Sequence, residues 1–488
     1  MEMSLQKRFG LRPRALLVGL GVLGCCVLAN LVLAEASSAA VPAGNGCVAS
    51  DGKISGRGAS YQAHAEAYFA ELYNQDQCGN TPGSPADVAG ENMLAYNYPA
   101  AEAASATGAS AGLKAASCRT DAYAGDSLPY TEAQLAELNG VPGKTGGCSL
   151  TFDPPFKPQA TGNKYPNAED IQAPIMSFPI AGSSVALPVN LTNAVCTAGT
   201  KVAPTSLQFN AKEVSRIFGG DAAKWNDAEL VANNPTLANC EGAITRVVRF
   251  DSAGTTEIFK AYLVRAENGR SSATCAVGKT WSNYTKTNTE WPGKQSPGTE
   301  GTCTTITTAA KSGGPEEVKK IEETPNGIGY ADLPDAAAGK VPITPSVQNA
   351  TATSYQGPNI GESANCNYSV LTLPGGSPED YVGLDTEDNW GTNNQENPGS
   401  PPNHQNATDL GSKYPICGIT FDLVYTGLDN AAVPNAIGPL TADQRRTLYS
   451  YFTWVLSSTF QDKLSSINYA PLPTAWLGPL TEGFQENF

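Results

Sequence analysis

The stretch Arg249–Leu263, RFDSAGTTEIFKAYL, decides how this chain is read. The preceding ITRVVRF reads as a buried strand ending at Phe250, small residues make a turn, and a helix begins at Thr255 or Thr256. The first N–H groups of such a helix lack intrahelical partners and form an anion site, and Gly254 lets a ligand approach the backbone. Arg249 adds a fixed charge whose fork suits a tetrahedral oxyanion, and Asp251 stands where it can hold that arginine. The same residues also fit an ordinary capped helix with a surface salt bridge. The turn is shorter than a Walker A loop and lacks Gly-Lys-Ser/Thr, so it does not point to an NTPase.

The same grammar recurs upstream. GRGASYQAHAEAYF sets Gly56, Gly58 and Ser60 ahead of a helix, with Tyr61, Ala65, Tyr68, Phe69 and Leu72 on one stripe. ATGASAGLKAA sets Gly108 and Ser110 before a short helical run, and RTDAYAGDSLPYTEAQL carries Asp121 and Asp126 ahead of a capped helix. Three capping boxes mark helix starts: Thr131 with Gln134, Asn210 with Glu213, and Thr441 with Gln444. SSVALPVNL and ITRVVRF read as strands between these helices, so the fold class is α/β with a parallel or mixed sheet. Residues 268–315 and 345–413 are irregular, rich in Gly, Thr, Asn and Pro, and read as surface insertions pinned by disulfides; SPEDYVGL is one helix start in the second, with Ser377 as cap and Pro378 at the first helical position.

With 488 residues the chain is long enough for two lobes with real cores. Its formal charge of −15 argues against nucleic acid or an anionic membrane as partner, so any bound anion needs local donors. MEMSLQKRFGLRPR, an apolar run from Ala15 to Ala34 and small residues after it form an export signal, with cleavage after Ala36 or Ala40. The run is also long enough for an uncleaved anchor, and VLGCC loosely resembles a lipobox at Cys25. Without residues 1–36, which carry four basic and two acidic side chains, the net charge is −17. Ten cysteines remain, Cys47 to Cys417, without CxxC spacing or neighbouring histidines. Outside the cytoplasm they imply roughly five disulfides rather than zinc, with Cys275–Cys303 and Cys196–Cys240 as candidate local pairs.

An aspartate beside an anion site makes chemical sense for one ligand. Phosphate near neutral pH still carries a proton to donate, whereas sulfate offers none and meets an unpaired acceptor and a like charge.

These segments, in this order, resemble the substrate-binding protein of the bacterial phosphate ABC transporter. GRGASYQAHAEAYFAELY, GASAGLK, TDAYAGDSLPYTEAQL, FPIAGSSVALPVN, RIFGGDAAKWND, RVVRFDSAGTTEIFKAYL, NGIGYADL, YPICGITFDLVY and WVLSSTFQDKLSSINYAPLP carry the likeness over residues 54–473. The resemblance implies a two-lobed type II periplasmic binding protein fold with a hinge and an interlobe ligand cleft. Lobe I would be residues about 52–180 plus 420–488 and lobe II about 186–415, with SFPIAGSSVAL and YPICGITFDLV as the hinge. It implies a phosphate site of Ser60, Tyr61, Ser110, Asp126, Arg249, Asp251, Gly254 and Thr255. Asp126 is the family's phosphate-discriminating acid, Arg249 the paired cation with Asp251 supporting it, and Gly254 and Thr255 the helix-start donors. Ala253 and Ala109 stand where the family shows serines, which removes one or two hydroxyl bonds worth about 1 kcal/mol each. The implied partners are inorganic phosphate and ABC permease subunits, with a monomeric, exported or N-terminally anchored protein and no cofactor or metal.

Two other classes fit less of the sequence. An enzyme lacks its machinery here: the two histidines are His64, read as a surface or lobe-packing residue, and His404, in the Pro/Asn-rich insertion. There is no GxSxG or HExxH, and Glu316–Glu317 and Glu322–Glu323 read as a solvated helix face. An extracellular surface or adhesion protein on the same fold, or a binder of another tetrahedral oxyanion, is the alternative that the insertions and disulfides permit.

Overall fold

The computed structural model describes residues 52–76, 94–96, 121–126, 175–191, 204–249, 253–266, 306–308, 313–359, 364–368, 411–425 and 440–488, together with Cys196, Asp251 and Trp291. The export segment, Ser110, His404, the Thr131 box, the SPEDYVGL helix start, the Cys275–Cys303 pair and most of both insertions lie outside these residues.

Strand β1 (Ile54–Gly58) runs through Ala59 into helix α1 (Ser60–Asp76), as the glycine turn predicts. Next come β2 (Leu94–Tyr96), β3 (Tyr123–Asp126) and the long β4 (Ile175–Ala186), which passes through Leu187 and Pro188 into β5 (Val189–Asn190). After β6 (Gln208–Phe209), α2 (Ala211–Gly219) is closed by the Asn210–Glu213 box, and Gly220 at φ 86° ends it. Helix α3 (Ala228–Asn233) and β7 (Thr245–Val248) lead to α4 (Gly254–Ala266), β8 (Ile306–Thr308) and α5 (Gly314–Glu323). The chain continues through β9 (Gly327–Ile328), β10 (Ala331–Asp332), α6 (Leu333–Ala338), β11 (Ser346–Gln348) and β12 (Tyr355–Gln356). It ends with β13 (Cys417–Tyr425), α7 (Ala442–Val455) under the Thr441–Gln444 box, α8 (Ser458–Gln461) and α9 (Thr474–Asn487).

The strands make a six-stranded sheet, β10-β4-β13-β3-β1-β2, a four-stranded sheet, β5-β9-β7-β8, and a three-stranded one, β12-β11-β6. Both larger sheets are mixed: β1 is parallel to β2 and β3, while β13 is antiparallel to β3 and β4. The chain crosses from the first sheet to the second at β4–β5 and returns at β9–β10, so β10 pairs with the end of β4 at Val185 and Ala186. The β4–β13 ladder runs from Cys417↔Ser184 to Tyr425↔Ile175 and is interrupted between Thr420 and Phe421. Pro179, which has no N–H for a ladder, sits at that irregularity, where its cost is least.

Helix α1 buries more than its predicted stripe. Tyr61, Ala65 and Phe69 are buried and Tyr68 and Leu72 partly so, but Gln62 and Glu66 are buried as well. The helix is enclosed by the sheet on one side and α7 on the other. The polar pair survives there because it is bonded: Gln62 Nε2 donates to Asp422 Oδ1 at 2.7 Å, and Tyr451 donates to Glu66 at 2.8 Å.

Candidate functional site

Arg249 follows the last residue of β7 and is 1% exposed. Its guanidinium clasps Asp251 in a two-pronged pair, Nε to Oδ1 at 2.8 Å and Nη2 to Oδ2 at 2.6 Å. This is a buried ion pair, not the surface salt bridge of the alternative reading, and a buried pair of this geometry holds the arginine in one orientation. Three residues on, α4 begins at Gly254, with the carbonyl of Ala253 accepting from Thr256 and Glu257. The N–H groups of Gly254 and Thr255 precede any carbonyl that the helix can offer them. Thr255 is fully buried, and its Oγ1 has no hydrogen-bond partner among the described residues. Thr256, on the other side of the turn, shares a 2.8 Å hydrogen bond with Tyr330, whose hydroxyl also accepts from Arg249 N at 3.3 Å. The Tyr330 ring stacks on Phe259 at 4.9 Å, so an aromatic layer fixes the helix start against the arginine.

The second turn is built in the other sheet. Gly58 lies opposite Gly125 in the parallel β1–β3 register, and Ala59 N donates to Gly125 O at 3.0 Å. This sets the first residues of α1, Ser60 and Tyr61, beside Asp126 at the end of β3. Asp121 is occupied elsewhere: it accepts from Ser55 Oγ at 2.7 Å and Arg57 Nε at 3.0 Å, holding β3 to β1. Of the two aspartates in that segment, Asp126 is therefore the one at the strand's carboxyl end, where ligands bind in α/β sheets.

Gly418 in β13 joins the two turns. A Cβ there would lie 2.4 Å from Ile258 Cδ1 of α4 and 3.0 Å from Tyr61 Oη of α1. The helices that begin at Gly254 and at Ser60 thus meet over one residue of the six-stranded sheet. Tyr61, Arg249, Asp251, Gly254 and Thr255 are all buried. Of Ser60 and Asp126 the structure describes the backbone.

Acidic residues that the sequence reading missed also gather here. Glu317 is a correction: it was expected on a solvated face, but it is fully buried, with Oε2 3.6 Å from Arg249 Nε. It lies four residues before buried Ile321 and next to buried Val318 on α5, so helical periodicity already placed it on the inner face. Burial pushes its carboxyl well above the usual range, against the pull of Arg249. Asp332 and Asp335 are buried as well, and His64, exposed as expected, bonds Asp335 Oδ1 at 2.7 Å. The other buried arginine of β7, Arg246, serves structure: it donates to Ile217 O and, at 2.9 Å, to Ala222 O around the end of α2. Desolvation lowers its pKa to about 10. Carbonyls around one arginine and carboxylates around the other distinguish two identical residues three positions apart.

Two disulfides lie among the described residues. Cys196–Cys240 was a candidate from sequence; Cys366–Cys417 ties the second insertion to the start of β13. No group of three or more His, Cys, Asp or Glu side chains among the described residues is arranged to hold a metal. Asn190, although in a glycosylation sequon, is buried and donates to the carbonyls of Ile321, Glu322 and Thr324 at the end of α5.

Comparison with known proteins agrees with this architecture. Residues 167–368 match a family described as a PBP superfamily domain. The chain is similar to the phosphate-binding protein PstS of Xylella fastidiosa, 26% identical over 308 residues, which are 63% of this chain and 66% of that one, just under two thirds. It is 34% identical to the phosphate-binding protein PstS of Haemophilus influenzae over 97 residues, 20% of this chain and 27% of the relative. Among solved structures, it resembles a human phosphate binding apolipoprotein with a TM-score of 0.53 at 17% identity, covering 88% of this chain and 94% of that one. A phosphate-binding protein from Stenotrophomonas maltophilia gives 0.51 at 16% identity, with 88% and 93% covered. The family match thus covers the middle of the chain, and by fold the chain has the two-lobed α/β architecture of the phosphate-binding proteins it resembles.

Proposed function

We propose that this protein is an extracytoplasmic solute-binding protein that captures inorganic phosphate between its lobes and delivers it to an ABC permease. The observation that carries the reading is the meeting of two helix starts beside a fully buried Arg249 that is held by Asp251. Each part has a role in holding an oxyanion noncovalently. The N–H groups at Gly254, Thr255 and Tyr61 donate, and so do the hydroxyls of Thr255, Ser60 and Ser110. Arg249 supplies charge, and Asp126 accepts the proton that phosphate carries. The relatives named above are phosphate-binding proteins, and an extracytoplasmic place fits the cysteine pairs found here. Strands β4 and β13, paired from Ile175↔Tyr425 to Ser184↔Cys417, serve as the hinge, and phosphate closes the lobes only by its difference in affinity for the two states.

Isothermal titration tests the reading. Phosphate gives saturable heat with the full exported chain. Thr255→Val, which removes one buried hydroxyl and leaves every ion pair in place, weakens binding by about 1–3 kcal/mol because the lost bond was to a charged ligand. Asp126→Asn lowers the preference for phosphate over sulfate. Absence of phosphate heat from the wild-type protein overturns the reading in favour of a scaffold on the same fold.

A further inference from the structure

Behind Arg249 the structure holds more acid than one arginine needs. Asp332, at the end of β10, is fully buried, and among the described residues no side chain other than Asp335 is offered to its carboxyl as a hydrogen-bond partner. Asp335, three residues on in α6, is 3% exposed. The two carboxyls converge: a Cβ on Gly314 would lie 1.8 Å from Asp335 Oδ2 and 2.8 Å from Asp332 Oδ1. Two carboxylates so close and so buried cannot both stay charged, and a proton between them satisfies both. The other oxygen of Asp335 bonds His64 Nε2 at 2.7 Å, and the His64 side chain is 44% exposed. A line of titratable groups therefore runs from solvent, through His64 and Asp335, to Asp332 beside the arginine.

We propose that Asp332, paired with Asp335 and reached from solvent through His64, sets the charge behind Arg249 and takes up a proton when the anion binds. The inference rests on the phosphate reading and adds to it two positioning residues that need not touch the ligand. The surroundings fix the sign. Arg249 from the end of β7 favours a charged Asp332, while Asp335 on α6 opposes it, and burial opposes it most. Among the described residues, Tyr61 and His64 on α1, Tyr469 ahead of α9 and Glu317 on α5 also face the pair. An ionised Asp332 spends part of the field of Arg249 and repels the anion; a protonated one leaves that field to the ligand. Binding therefore favours a protonated Asp332, and it weakens on the alkaline side as Asp332 ionises.

The test is phosphate affinity from mildly acid to mildly alkaline pH for wild type, Asp332→Asn and Asp335→Asn, with circular dichroism confirming each fold. The ionisation of phosphate itself is common to all three and cancels in the comparison. Beyond the ionisation of the pair, wild-type affinity falls relative to Asp332→Asn by up to about tenfold per pH unit. Asp335→Asn, which removes the neighbour that holds the proton on Asp332, starts that fall at lower pH. Should Asp332→Asn fail to fold, the shift in Asp335→Asn decides alone. Wild-type and variant profiles that stay parallel, with binding intact, overturn this inference and leave the phosphate reading standing. No phosphate binding by the wild type at any pH overturns both.

Discussion

Glu66 lies fully buried on α1, accepting from Tyr451 at 2.8 Å and Tyr123 at 3.2 Å, with Asp422 of β13 close by. Burial pushes its carboxyl from 4.5 up to about 7, although both tyrosines and Asp422 pull the other way. The sign follows from linkage. The folded state binds the proton more tightly than the unfolded chain, so the stabilising contribution is complete below about pH 4.5 and is lost as pH rises through about 7. The loss amounts to about 3 kcal/mol at the alkaline end. Glu66→Gln stays neutral at every pH. Denaturant unfolding on both sides of neutrality is therefore expected to show wild type losing stability relative to the variant as pH rises; a constant difference would mean that Glu66 does not titrate in the fold. The sequence shows an acid in the middle of an amphipathic helix, and nothing local distinguishes it from a solvated one. Its burial comes from β13 and α7, more than 350 residues away, which is why it could not be read from its neighbours. Glu317 was misplaced on the charge of its own helix, although its spacing from Ile321 was informative.

At the scale of elements, the helix starts and the turns before them were the most legible part of the chain. The Asn210 and Thr441 boxes form as written, because a cap needs only residues three apart. The glycine turn of β1 is legible for a nonlocal reason as well: a Cβ on Gly58 would lie 2.3 Å from the carbonyl oxygen of Gly125, a backbone atom that cannot swing away. Gly58→Ala must therefore push β1 off β3, and with it the Ala59–Gly125 hydrogen bond that sets α1 beside Asp126. It is expected to cost about 1–3 kcal/mol of stability, the usual penalty for overpacking, and to weaken phosphate binding in the same protein. The identical change at Gly478, exposed in α9 with nothing but its chain neighbours within 4 Å of its added carbon, gains helix propensity but sets that carbon against the ring of the following Pro479, and is expected to change stability by less than about 1 kcal/mol. Thermal melts of both variants check the pair, and equal effects would show that the β1–β3 approach is looser than the geometry says.

Over the whole molecule, the alternation of strands and helices and the two long strands β4 and β13 were readable, since each rests on hydrophobic pattern along a continuous stretch. The purpose of the second insertion was not, because a segment rich in Pro, Asn and Gly carries no period. The structure gives its end a task. Cys366 is bonded to Cys417 at the start of β13, and two residues later the single hydroxyl proton of Tyr368 lies between Gly418 O at 2.7 Å and Ser183 O at 3.0 Å. A Cβ on Gly182 would meet the Tyr368 ring at 2.2 Å, so the tyrosine is seated flat on β4 as well. One short segment thus clamps both strands about which the lobes are proposed to close. The cross-link spans 51 residues, and constraining a loop of that length in the unfolded chain is worth about 4 kcal/mol. Replacing Cys366 and Cys417 together by alanine is expected to lower stability by that order in denaturant unfolding. Phosphate should still bind, since neither cysteine is among the residues proposed to hold it, but with a larger unfavourable ordering cost if the clamp stiffens the hinge. Unchanged unfolding midpoints after the double replacement would mean that Tyr368 and its hydroxyl contacts hold the segment without the disulfide.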